Sequence, residues 1–127
     1  MKTAGCAVLI IAFLWVLSPA AVSFAGEADV VGVKAGSDGD GTWSFSVTVR
    51  HDDQGWDHYA DRWEVLGPDR EVLGTRVLMH HHVGEQPFTR SLSGVQISKE
   101  VQRVFIRARD SVHGYGGNEM EVKLNLE

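Results

Sequence analysis

The sequence predicts an all-β protein, an antiparallel β-sandwich of seven strands with immunoglobulin or fibronectin type III architecture, preceded by a signal-peptide helix. Three observations carry this. Apolar residues alternate with polar ones at period 2 along several stretches, clusters of Gly, Pro, Asp and Ser separate those stretches at the spacing of about 8–12 residues expected of a sandwich, and no amphipathic helix pattern follows the first 25 residues.

The N-terminal segment comes first. Lys2 is a positive start, Ala7 to Val16 is a short apolar run, and Ser23-Phe24-Ala25 offers the small residues that a signal peptidase reads. The apolar run is shorter than the roughly 20 residues of a bilayer span. Cleavage after Ala25 is therefore expected, with 1–25 the signal peptide and 26–127 the sandwich domain. Removing 25 of the 127 residues leaves 102, enough for one domain with its own core. The single cysteine, Cys6, leaves with the signal and lacks the preceding apolar segment of a lipidated cysteine. The mature domain then relies on its core, without disulfides. With Lys2 gone, 11 basic residues stand against 17 acidic ones, a net charge of −6. That balance argues against nucleic acid or an anionic membrane surface as partner and permits cations and neutral ligands. The expected location is periplasmic or secreted, with no membrane contact after cleavage.

Asp29 to Ala35 is the first strand, and Gly36 to Gly41 is a Gly/Asp turn without the later ligands of a calcium loop. Thr42 to Arg50 is the clearest strand, because Trp43, Phe45, Val47 and Val49 alternate with Thr, Ser and Arg. His51 to Asp61 is a loop rich in His and Asp. Arg62 to Leu66 is the third strand, and Gly67-Pro68-Asp69-Arg70 turns the chain. Val72 to Met79 returns and leads into His80-His81-His82. Phe88 to Ile97 follows, with a bend expected at Gly94. Val101 to Asp110 alternates again, with Val104, Ile106 and Ala108 on one face. Ser111 to Gly117 is a Gly-rich loop whose glycines are expected to supply positive φ, and Glu119 to Leu126 closes the chain.

Up-and-down strand order brings three loops to one end: His51 to Asp61, His80 to Pro87, and the loop with His113. All six histidines fall in them. The strongest metal-type spacing is His80-x-His82. If the fourth strand stays extended through it, both rings project from one face about 6.6–6.8 Å apart and can share one ion. Neutral imidazole suits zinc or copper. The third ligand is open among His113, His58 and His51, and Asp57, Asp61 or Glu85 serve as ligands or as acceptors for a free ring N–H. The bland alternative makes the histidines a solvated strand cap, folds Trp56 and Tyr59 over the end of the core, and pairs the aspartates with Arg62, Arg90 and Arg109. A second functional class uses the same loops as a metal-free module for a protein or glycan, anchored by Trp56, Tyr59 and Tyr115. Catalysis is the least favoured class, because no nucleophile motif occurs and a domain this small has little room for a deep pocket.

The stretches Gly55-Trp56-Asp57-His58-Tyr59-Ala60-Asp61 and Glu85-Gln86-Pro87-Phe88-Thr89-Arg90-Ser91-Leu92 resemble those of small exported bacterial proteins of uncharacterised function, over most of the mature chain. That resemblance implies export and no particular activity. Superoxide reductase is similar in setting several histidines on an immunoglobulin-like domain, but its iron also takes a cysteine, which the mature chain lacks. Periplasmic copper carriers use Met- and His-rich motifs. Here Met79 adjoins His80, without their paired His-x-Met signature.

Overall fold

The computed structural model describes residues 26–124. The signal peptide read from residues 1–25, Cys6 included, lies outside the described residues, as do residues 125–127. Seven antiparallel strands form two sheets: β1 (Asp29–Ser37), β2 (Thr42–Arg50), β3 (Ala60–Leu66), β4 (Val72–Val77), β5 (Phe88–Gln96), β6 (Arg103–Asp110) and β7 (Met120–Lys123). One sheet has the order β1-β2-β5 and the other β4-β3-β6-β7. The all-β sandwich is the architecture that the alternation predicts.

The core lies where the inward faces of the two sheets meet. On β2, Trp43, Phe45, Val47 and Val49 are buried, and they pack with Trp63 and Val65 of β3 and Val104, Ile106 and Ala108 of β6. Each such side chain removed from water contributes about 1.5–3 kcal/mol. On β5, Gly94 takes a φ of 73° where the β2–β5 register shifts, so the expected bend is a bulge. A second bulge lies in β3, where the β6 partner of Ala60 is Asp110 and that of Arg62 is Arg109. The extra residue, Asp61, lets Ala60 and Trp63 both face inward although they are three positions apart.

Three sequence expectations are corrected. Strand β4 ends at Val77, not Met79, so His80-x-His82 does not continue an extended strand. Pairing with β3 reaches only one step further, where the Leu78 N–H bonds to the Asp61 carbonyl at 3.0 Å, and a turn then spans Val83 and Gly84. In the Gly-rich loop only Gly114 has a positive φ, 76°. Gly117 is required for closeness instead, since a Cβ there would sit 1.9 Å from the Ala28 carbonyl oxygen.

The β2–β3, β4–β5 and β6–β7 loops converge at one end of the sandwich. Tyr59 and Ser111 tie the first to the third through Ser111 N–H to Tyr59 carbonyl, 2.9 Å, and Tyr59 N–H to Ser111 Oγ, 3.0 Å. The His82 N–H ties the second to the first by donating to Asp53 Oδ2, at 2.7 Å.

Candidate metal centre

The site follows from the strand faces. His51 is the next inward position of β2 after Val49, and Asp110 is the next inward position of β6 after Ala108. The two strands belong to opposite sheets, so at this end of the core an imidazole and a carboxylate meet across the gap where apolar side chains meet elsewhere. His51 is 3% exposed and Asp110 0%.

His51 lies between two carboxylates. Its Nδ1 donates to Asp53 Oδ1, at 2.5 Å, and its Nε2 donates to Asp110 Oδ2. Carboxylate oxygens only accept, so the ring satisfies both as an imidazolium. Burial pulls its pKa down, but Asp53 and Asp110 outweigh burial and hold it above 6.5. The Asp110 carboxyl is likewise pushed up by burial. The backbone N–H groups of His113 and Val112, then His58 and His51, overcome that and bring it from 3.8 to about 2. Those two backbone donors reach Oδ1 at 2.8 and 2.5 Å.

His58 completes the group. Its Nε2 is 2.7 Å from Asp110 Oδ2, and its Nδ1 is 2.9 Å from Gln54 Oε1. One ligand atom from each of His51, His58 and Asp110 lies within 4.8 Å of the others, a set that can hold a metal ion. His113, the most exposed ring of the cluster, stands beside it. Its Nδ1 is 3.4 Å from Asp110 Oδ2, and its ring centroid is 5.0 Å from that of His58.

The other sequence candidates go elsewhere. His80 and His82 stand 5.2 Å apart by ring centroid, but His82 stacks flat on Phe88 at 4.0 Å, and its Nε2 accepts from Arg90 at 2.8 Å. Burial, then Arg90 and His80, lower the His82 pKa, so the ring is held neutral with Nε2 already in use. His81 packs edge-on against Trp56. Trp56 does not fold over the core. It is 62% exposed, with Tyr59 at its edge. Tyr115 lies on the outer face of the four-stranded sheet, where its hydroxyl donates to Glu64 at 2.8 Å, accepts from Arg62, and its ring covers the Arg107 guanidinium. Asp61 pairs with Arg109 at 2.5 Å, while Asp57 and Glu85 are exposed.

Two residues central to the site were missed as ligands or partners from sequence: Asp110 and Asp53. For Asp110 the signal was present, a carboxylate on the apolar face of a strand with period 2. Asp53 sits in an irregular loop, where no periodicity says which way a side chain points. It accepts from the His51 ring, from Ala60 N–H at 3.0 Å and from His82 N–H, so one carboxylate ties the β2–β3 loop to the start of β3 and to the β4–β5 loop.

The chain is 46% identical over 96 residues, 76% of its own length, to a protein of the haloarchaeon Halomicrobium mukohataei that bears the name "Putative lipoprotein". It spans about half of that relative, 47%. No family model matches the sequence, and no solved structure matches it. The relative is archaeal, whereas the resemblance noted above is to bacterial proteins.

Proposed function

We propose that this is an exported β-sandwich domain that binds one transition-metal ion, zinc or copper, through His51 and His58 with Asp110, and with His113 at the open side. One observation carries the reading. Both histidines have Nδ1 against a side-chain oxygen, Asp53 Oδ1 and Gln54 Oε1, and both turn Nε2 toward the same carboxylate oxygen. Metal-binding histidines use this arrangement: an acceptor on one nitrogen fixes the ring and the tautomer, and the other nitrogen meets the ion. Zinc at about 2.0–2.1 Å from each donor needs the donors about 3.3 Å apart. The 2.7 Å between His58 Nε2 and Asp110 Oδ2 would have to widen by about 0.6 Å, and the shorter contact of His51 Nε2 with the same oxygen by more. His51 would give up its Nε2 proton on binding and keep the Nδ1 hydrogen bond.

The reading places the domain outside the cytoplasm, periplasmic or secreted, which the relative's name supports. It assigns the domain to the immunoglobulin/fibronectin III-like sandwiches, with the fourth strand paired to the third rather than to the fifth. It assigns no catalysis, and His80 and His82 take no part in it. Elemental analysis of untagged protein should find one zinc or copper per chain, lost in His58→Ala. Absence of stoichiometric metal, together with no thermal shift on adding either ion, refutes it.

A second reading is favoured by the exposed apolar residues of these loops: Trp56, Met79 at 72%, Val83 at 51% and Val112 at 57%. In it the loop end captures an envelope protein or glycan with Trp56 and Tyr59 as anchors, without metal. Capture abolished by Trp56→Ala and untouched by chelator would select it.

A further inference from the structure

The polypeptide does not begin its contacts with the cluster at His51. Gly26, in sequence 25 residues away, lies against two of its rings. The Gly26 carbonyl oxygen is 3.2 Å from His51 Nε2. A Cβ on Gly26 would sit 2.9 Å from Cε1 and 3.1 Å from Nε2 of His113, so the residue reaches this position only as glycine without displacing the ring. Ala28, two residues on, is fully buried and joins the core, and the Val30 N–H bonds to the Asn118 carbonyl at 2.9 Å, so this start of the chain is held in place. Gly26 is also the residue that follows Ser23-Phe24-Ala25, where the sequence predicts signal cleavage.

We propose that the mature N-terminus is itself part of the metal site: after cleavage, Gly26 offers its α-amine and carbonyl oxygen to the ion beside His51, His58 and Asp110. The inference rests on the metal reading above. An α-amine and the carbonyl oxygen of the same residue close a five-membered ring on a metal, a chelate that an internal residue forms only after losing its amide proton. The uncleaved chain has the carbonyl in place but no amine. The full site would therefore arise only once the protein has been exported and processed, which confines tight binding to the compartment where the domain resides. A nitrogen-rich set of this kind, an amine with two or three imidazoles, suits copper(II) and zinc.

The seven strands and the core of the described residues lie within 26–124, so the mature chain contains this sandwich. The test compares that chain, starting at Gly26, with the same chain carrying one additional alanine before Gly26. Copper(II) and zinc affinities are measured by competition with a chelator, and the copper form is examined by electron paramagnetic resonance. The expected result is at least about tenfold weaker binding by the extended chain, by analogy with the loss seen when metal-site partners are removed. The copper spectrum should also change in a way that reports one fewer nitrogen donor. Equal affinities and identical spectra overturn the role of Gly26 and leave the side-chain site standing. Failure of both chains to bind overturns the metal reading as well. Intact mass of the exported full-length product must give a chain that begins at Gly26. A product that retains earlier residues also overturns the proposal.

Discussion

His80-His81-His82 and the group His51, His58 and Asp110 make an instructive pair. The first is the densest run of imidazole in the chain, yet its rings turn to different neighbours: His80 to His82, His81 to Trp56, and His82 to Phe88 and Arg90. The second is spread over the sequence, with His51 and Asp110 separated by 59 positions, yet its ligand atoms converge. Adjacency in sequence does not bring side chains together, because successive residues point in different directions. Convergence comes instead from the inward faces of two strands that pack across the core.

The largest expected effect tests this contrast through stability. Asp110→Ala should cost about 3–5 kcal/mol in urea unfolding, because it leaves the buried His51 imidazolium short of a partner and strips two backbone N–H groups of their acceptor. His80→Ala, at the exposed start of the histidine run, should change stability by no more than about 0.5 kcal/mol. Similar losses from both would break the comparison.

Acid titration of the metal-free protein sharpens it. The folded Asp110 carboxyl is depressed from 3.8 to about 2, so its contribution is present above 3.8 and is lost as pH falls toward 2. The shift corresponds to about 2 kcal/mol. His51 has the opposite sign: its raised pKa contributes fully below 6.5 and is lost as pH rises through the folded value. His82, with a lowered pKa, contributes above 6.5 and loses that as pH falls. Stability against pH in wild type and in Asp110→Asn checks the first of these. An Asp110→Asn protein that still shows the full acid loss would contradict it.

Metal retention separates the two regions next. His58→Ala should abolish stoichiometric zinc or copper, while a His80→Ala/His82→Ala double variant keeps it, as read by elemental analysis after desalting. Wild-type affinity should also weaken as pH falls below the raised pKa of His51, since proton and metal compete for Nε2. The reverse pattern would move the site to the histidine run. The smallest effect belongs to Trp56→Ala, which should leave stability within about 0.5 kcal/mol because the ring is mostly in solvent. A larger loss in thermal unfolding would make Trp56 part of the loop scaffold.

Much of the fold was readable beforehand. Trp43 to Val49 and Val104 to Ala108 announce their buried faces through period 2, and the Gly94 bend appears as a bulge at that residue. The gathering of the histidine loops at one end followed from strand order alone. Within the site, the inward positions of His51 and Asp110 were implicit in the same alternation. The weight placed on His80-x-His82 depended on an extended strand, but β4 stops at Val77 and its last bond to the β3 side is from the Leu78 N–H to Asp61, two residues before His80.

By itself, then, the sequence determined seven strands, their buried faces and the end of the sandwich that carries imidazole, because backbone alternation is a local property with a fixed period. Only the tertiary structure decided which nitrogen meets which carboxylate. Loops have no period, so the direction of His58 is set by Gln54 and Asp110, that of His82 by Phe88 and Arg90, and that of His51 by Asp53 from its own loop and Asp110 from the opposite sheet. Asp110 is 59 positions from His51 and 52 from His58, and only folding brings it within hydrogen-bonding distance of both.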